Sequence, residues 1–271
     1  MGVLRFYRYI NILSIDVAIG AIVNALFFAQ LFNVHILLPG IASLGLAVWI
    51  IYTTDHLRDA KRLKEEAATE RHRFHQRHFK IILRLLYVAM LVELVLIFFL
   101  RKPVFYGGLW LSGGVVIYIL INRWLRFFKE ITGALLYSCG VMLPALSFRQ
   151  ASLTSADQLM IVQFVLIALI NLILFSWMDY ESDLKDRHRS LITYVSKAWG
   201  SVILIVLFMV TALCHFKTMY VHQAETLIFI SMTFILLILF LFHRYFKKEE
   251  RFRFIGDAIF FLPAIALFTH S

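Results

Sequence analysis

Long apolar blocks alternate with short polar, mainly basic ones along the whole chain. A helix needs ~20 consecutive, predominantly apolar residues to cross a bilayer. Nine stretches meet that measure, at roughly 10–33, 35–54, 80–100, 104–122, 130–148, 158–178, 199–216, 224–243 and 254–270. Only "NVH" separates the first two, which predicts a tight antiparallel hairpin. No low-complexity tract or soluble domain breaks the series. The pattern predicts an all-α polytopic membrane protein of about nine transmembrane helices, in one domain covering residues 1–271.

Composition agrees. The chain is 61% hydrophobic and 16% charged, whereas soluble domains are about half apolar and about a quarter charged. A net charge of +10 would point to nucleic acid in a soluble protein, but its distribution gives another cause. With residue 1 on the inside, 22 of the 27 lysines and arginines fall in inside segments, Arg84 lies at the inner end of the third stretch, and only Arg101, Lys102, Arg149 and Lys217 fall outside. That asymmetry predicts a cytoplasmic N-terminus, an outer C-terminus and cytoplasmic loops at 55–79 and 179–198. Anionic membrane lipids are the expected surface partner, with no nucleic acid, and a bacterial inner (plasma) membrane is the expected location. The first apolar stretch is long enough to span and lacks a small-residue cleavage pattern, so no cleavable signal is expected. Cys139 and Cys214 lie in or beside apolar stretches and form no disulfide or zinc pattern.

Two polar blocks are acidic as well as basic. "IIYTTDHLRDAKR" carries Asp55 and Asp59, and "WMDYESDLKDRHRS" carries Asp179, Asp183 and Asp186. Spacings of four and three stack these groups on one helix face. Stacked like charges destabilise a helix and cost more near a membrane, so a cation is expected between them. Magnesium takes oxygen ligands and commonly binds through one or two carboxylates plus substrate phosphates. Two such stretches facing each other could clamp a diphosphate. The blander reading is that the acids only balance Arg58, Lys61, Arg62, Lys185, Arg187 and Arg189. It fits one stretch better than two, set on the same side at the ends of the second and sixth apolar blocks.

The stretch "DYESDLKDRHRSL" resembles the second aspartate motif of the UbiA superfamily of intramembrane prenyltransferases, through Asp179, Glu181, Asp183, Lys185, Arg189, Ser190 and Leu191. "YTTDHLRD" is similar to the first motif through Asp55 and Asp59. "KEITGALLYSCGVMLP" is similar to the start of the family's fifth helix through Lys129, Tyr137, Gly140 and Pro144. Nine helices with motif loops after the second and sixth are also the family's topology, so the resemblance covers nearly the whole chain. The chain departs from the family at Ile51 and Tyr52, where the first motif opens with Asn-Asp. It departs again at Phe175 and Ser176, where relatives carry Asn, and the Arg-Thr-x-x-Arg-Pro segment has no clean counterpart.

The resemblance implies helices around a central cavity and magnesium-dependent transfer of an isoprenyl group from a prenyl diphosphate to an acceptor, aromatic or lipidic. It implies catalytic, Mg2+-holding roles for Asp55, Asp59, Asp179 and Asp183, with Asp186 as an outer metal ligand. Arg62, Lys129, Lys185 and Arg189 are then the candidates for the diphosphate, and Arg71 and Arg73 close over it from a cap helix. Arginine suits bidentate phosphate contact and lysine acts as a compact point charge.

Two other classes stay open. Paired acids at a membrane could carry ions or protons in a transporter, although these acids sit at loop ends and no broken-helix pair marks the centre. A family member that has lost catalysis and serves as a membrane scaffold or lipid-binding protein would also account for Ile51 and Tyr52. Asp16, Asn24, Glu93, Asn171 and Asp257 are costly in lipid and are expected to face the bundle interior. "RHRFHQRH" places His72, His75 and His78 near Glu66 and Glu70 without an obvious zinc set, and reads as a solvated cap helix.

Overall fold

The computed structural model describes residues 2–62, 69–125, 128–185 and 190–269. Fifteen α-helices follow in order: α1 (Gly2–Ile12), α2 (Ile15–Leu31), α3 (Leu38–Arg62), α4 (Glu70–Arg77), α5 (Phe79–Ile97), α6 (Lys102–Leu125), α7 (Lys129–Phe148), α8 (Ser155–Met178), α9 (Tyr180–Lys185), α10 (Leu191–Val195), α11 (Lys197–Thr218), α12 (Gln223–Leu241), α13 (His243–Phe246), α14 (Arg251–Ala258) and α15 (Ala264–Thr269). No strand occurs among the described residues.

All nine apolar stretches are largely helical among the described residues, but nine is not the number of unbroken spans there. Six helices, α3, α6, α7, α8, α11 and α12, are long and apolar enough to cross a membrane. A seventh span results if α1 and α2, bent by 80° at their junction, count as one. Helix α5 falls short because Lys80, Arg84 and Glu93 lie within it. The last stretch breaks into α14, a 3-10 turn at Ile259–Phe261 and α15. Pro263 stands at that second break, where its missing N–H prevents a continuous helix.

Helix α8 is the hub: it packs on α7, α11 and α12, while α2 packs on α3 and α7. The centre is aromatic. Phe28 meets Phe164 edge-to-face at 5.2 Å, and Phe229 lies 5.3 Å from Phe27, arrangements that add to the area these rings bury. Outer faces are apolar too, with Leu91, Val95, Trp110 and Leu120 well exposed on α5 and α6. Such a surface belongs against lipid acyl chains, where no polar outer layer is needed.

Three local features shape the end that carries the acidic stretches. Ser14 adopts φ 56° between α1 and α2, turning α1 so that it packs on α4 and α14. Glu249 and Glu250 adopt φ 56° and 54°, a left-handed turn that is costly for residues with a Cβ and that starts α14. Glu250 is held there by the Glu70 N–H at 3.2 Å and by Arg253 at 3.3 Å. Ser190 caps α10 through the Thr193 N–H at 3.3 Å, with the Thr193 hydroxyl accepting from the Ser190 N–H at 2.8 Å.

Candidate functional site

One cavity of about 920 Å³ runs through the bundle between α3, α5, α6, α7 and α8. Its charged end is formed by residues of α3, α4, α7, α9 and α14 together with Asp179. Its other end is lined by residues such as Leu44, Ile97, Val104, Phe105 and Leu143. Pro144 stands inside α7 and forms part of the wall.

Asp55, Asp59, Asp179 and Asp183 all line this cavity. Asp55 and Asp59 are one turn apart on α3. The Asp183 N–H donates to the Asp179 carbonyl at 2.8 Å, so these two are also a helical turn apart although α8 has ended. The charge of Lys129, the first residue of α7, acts on both Asp59 and Asp183. Both acidic stretches therefore flank one cation. Burial, then the Asp179 charge, push the Asp183 carboxyl up to about 7, against the lowering effect of Arg253 and Lys129. Burial also raises Asp179, opposed chiefly by Arg253. Crowded acids in a low-dielectric pocket behave this way, and a bound cation reverses it.

Of the basic residues expected at the diphosphate, Arg62, Arg71, Lys129 and Lys185 line the cavity. Arg73 is not among the residues that line it, since at i and i+2 on α4 the two arginines point away from each other. Asp186 and Arg189 lie outside the described residues. Arg71 reaches the cavity but is also bound within the protein. Its Nη2 donates to Asn11 Oδ1 at 2.9 Å and lies 3.5 Å from Asp257 Oδ2. Asn11 Nδ2 in turn donates to Asp257 at 2.7 Å and to Asp16 at 2.5 Å. Asp16 and Asp257 thus turn inward, as their cost in lipid requires.

The cap helix is not solvated as expected. Arg71 and His75 are buried in it, and only His78 of the three histidines is exposed. The rings of His72 and His75 lie 6.2 and 5.2 Å from that of His56 on α3. Burial, then Arg253 and Arg71, hold His72 down to about 3, so it is neutral and lines the cavity uncharged.

Sequence reasoning missed two residues. Arg253 forms an ion pair with Asp179, with the guanidinium 5.9 Å from the Phe175 ring and 5.3 Å from the Phe252 ring. Phe175, one of the departures from the motif, is therefore a platform for a cation. Glu130 is buried at the start of α7. Its Oε1 accepts from Ser176 Oγ at 2.9 Å and from the Leu191 N–H at 3.0 Å, tying α7, α8 and α10 around the second acidic stretch. "RFRF" opening the last apolar block was the available signal for Arg253; Glu130, beside Lys129, gave none.

Among the described residues, no three carboxylate, histidine or cysteine side chains form a ready-made metal centre. The acids stand as two pairs at one cavity mouth, with Asp179 already engaged by Arg253. That donor set does not make a closed cage. It fits magnesium held by a few carboxylates with phosphate and water completing the shell.

Fold and site together define a polytopic α-helical membrane bundle around one chamber, charged at one end and apolar at the other. The fold is UbiA-like. Two structures of a UbiA homolog from Archaeoglobus fulgidus match it, one bound to DMAPP and Mg2+ (TM-score 0.65, 15% identity, 97% of this chain and 99% of that one) and one bound to GPP and Mg2+ (TM-score 0.67, 15% identity, 96% and 99%). No family model and no curated protein matches the sequence. The resemblance read from the acidic motifs holds at the level of the fold, over nearly the whole chain.

Proposed function

We propose that this chain is a magnesium-dependent prenyltransferase that moves an isoprenyl group from a prenyl diphosphate to an acceptor inside the membrane. The observation that carries the reading is that one cavity joins both acidic stretches to an apolar chamber. The UbiA homolog's structures, bound to DMAPP or GPP and Mg2+, support it by likeness of fold.

In this reading Asp55, Asp59, Asp179 and Asp183 hold Mg2+, which when bound neutralises charge on the diphosphate. Arg62, Lys129 and Lys185 hold its oxygens, and Arg71 supports them from the cap helix. Arg189 and Asp186 belong to the same proposal through the motif alone. The apolar walls hold the hydrocarbon tail and keep water from the reacting carbon. The allylic C–O bond breaks with its electron pair leaving on the diphosphate, a bond forms between that carbon and the acceptor, and the acceptor loses a proton. By the distribution of basic residues, the charged end faces the cytoplasm.

A second reading has its own observation: Asp179 is already neutralised by Arg253, as in a protein that binds lipid without turning it over. One experiment separates the two. Prenyl diphosphates should protect the detergent-solubilised protein against heat only with magnesium present, by about 2.7 kcal/mol at ~100 times the dissociation constant, while releasing diphosphate when an acceptor is added. Equal protection by prenyl alcohols, unchanged by chelation, would leave the lipid-binding reading in its place.

A further inference from the structure

One carboxylate of the chamber wall has no part in holding magnesium. Asp257 on α14 lines the cavity and is 7% exposed. Asn11 Nδ2 donates to its Oδ2 at 2.7 Å, and Arg71 Nη2 lies 3.5 Å from the same atom. Oδ1 carries no bond among the described residues and, unlike Asn171 Oδ1, is not sealed from the chamber. Asp16, the other acid that Asn11 holds, is fully buried and stays out of the wall. An acid at such a place in a membrane protein is a functional candidate by default.

Position sets this oxygen beside the reacting carbon. Arg253 and Asp257 are four apart on α14, stacked on one face and about 6 Å apart along its axis. Arg253 engages Asp179, so Asp257 stands one turn inside the second acidic stretch. Gly256 gives the same level independently. A Cβ there would meet the Phe175 ring at 2.5 Å and Asn171 Oδ1 at 2.8 Å. That close approach seats this turn of α14 against α8, one to two turns before Asp179. The allylic carbon is bonded directly to the diphosphate, so with the diphosphate at the acids it comes to this level.

Charge says which acceptor suits the place. Asp16 and Asp257 share the Asn11 amide and face one guanidinium, that of Arg71. Two carboxyl groups answer one cation, which leaves no positive charge to spare for an anionic acceptor. A hydroxyl group instead brings a donor to Oδ1.

Resting on the prenyl diphosphate reading, we infer that Asp257 is the general base of the reaction and that the acceptor is a neutral molecule presenting a hydroxyl group. The hydroxyl oxygen bonds to the allylic carbon as the C–O bond to the diphosphate breaks, its electron pair leaving on the diphosphate. The hydroxyl proton passes to Asp257 Oδ1, and the product is an ether.

The test gives the full chain geranyl diphosphate, magnesium and three acceptors: a 1-alkanol, a 4-alkylphenol and a 4-alkylbenzoate. Mass spectrometry reads the products, and titration with a non-reacting diphosphate analogue reads binding. The two hydroxyl acceptors should give ethers and the benzoate no ester. Asp257→Asn should slow transfer by about a hundredfold or more, the range of a general base, while changing magnesium-dependent binding of the analogue by less than about threefold. Asp257→Glu should restore part of the rate. The acceptor comparison needs no variant, so it decides the matter even if Asp257→Asn does not fold. Four results overturn the inference where the analogue binds with magnesium: an ester at a comparable rate, a carbon-prenylated phenol, no ether from either hydroxyl acceptor, or an unaltered rate in Asp257→Asn. Analogue binding that ignores magnesium is the separate result that removes the transferase reading itself.

Discussion

The two acidic stretches look alike in sequence, each with aspartates four residues apart beside basic residues, yet the protein builds them differently. Asp55 and Asp59 ride on an uninterrupted helix. Their neighbour Arg58 turns away to donate to the Ile119 carbonyl of α6, and the upstream Ile51 and Tyr52 add a hydrocarbon side chain and a phenol to the cavity wall. Asp179 and Asp183 lie where α8 gives way to α9, braced by Arg253 from α14 and by the Glu130 strut from α7. One stretch is placed mainly by the geometry of its helix; the other is held by side chains from distant parts of the chain. Equal spacing does not make equal sites, and in the proposed function the braced one is where an anion–metal complex would meet preorganised partners.

The largest effect expected from that contrast is at the braced site. Asp183→Asn should abolish magnesium-dependent protection by prenyl diphosphates and the release of diphosphate, because it removes an oxygen charge from the wall shared with Lys129. Isothermal titration with magnesium and a non-reacting diphosphate analogue measures it. Binding of undiminished strength would remove Asp183 from the site.

Next comes the brace itself. Removing one partner of a fully buried ion pair costs about 3–5 kcal/mol. Arg253 and Asp179 are each 13% exposed, so Arg253→Ala should cost somewhat less, about 2–3 kcal/mol. Thermal unfolding in detergent reads this out, and Arg253→Lys should recover part of it. Asp55→Ala should cost far less in the same assay, since no ion pair holds Asp55 among the described residues.

Proton linkage gives a third, smaller contrast. Asp183 has its carboxyl raised to about 7 in the metal-free protein. For an acid raised on folding, the native state holds the extra proton, so this group's contribution to stability is complete below its unfolded pKa of about 3.9 and is lost as pH rises towards 7. Binding runs the other way, because a metal ligand must be deprotonated. Affinity for magnesium with diphosphate should therefore rise by up to about tenfold per pH unit below 7 and level off above it. Asp183→Asn should flatten the slope, whereas Asp55→Asn should leave it intact.

The same contrast explains how far the sequence could be read. Block length and basic loops are local properties, and they located the long helical stretches and both acidic turns. The residues lining the cavity mouth on α3, α7 and α9 followed from the resemblance of contiguous motifs to those of the family. What escaped was whatever depends on a distant chain segment. Arg253 lies 74 residues from Asp179, and nothing near either one announces their pairing. Arg71 lines the cavity as expected, and what the sequence did not show is that Asn11 and Asp257, at opposite ends of the chain, also hold its guanidinium. The exact count of nine spans is not reached among the described residues for different reasons. Lys80, Arg84 and Glu93 interrupt the apolar run of α5, and the bend at Ser14 and the break at Pro263 arise from backbone conformation and a missing N–H.

The smallest effect is expected at Asp55, and it sharpens the comparison most. The stretch before it has Ile51 and Tyr52 where the motif it resembles has Asn-Asp, so in the proposed function a cation there would be held by Asp55 and Asp59 with little else from the protein. Magnesium tolerates such a site because phosphate and water complete its shell. Losing one of few protein ligands should then weaken binding only severalfold, provided the second stretch carries most of the diphosphate's charge. Asp55→Asn keeps the shape and one carbonyl oxygen while removing the charge. Its dissociation constant for magnesium with a prenyl diphosphate should rise by less than about tenfold, or about 1.4 kcal/mol. Replacing Ile51 and Tyr52 with Asn and Asp should shift the constant the other way, by adding oxygens where the cavity wall now has none to spare. If Asp55→Asn is instead as damaging as Asp183→Asn, the two stretches contribute alike and bracing by Arg253 and Glu130 is not what makes a strong site in this fold.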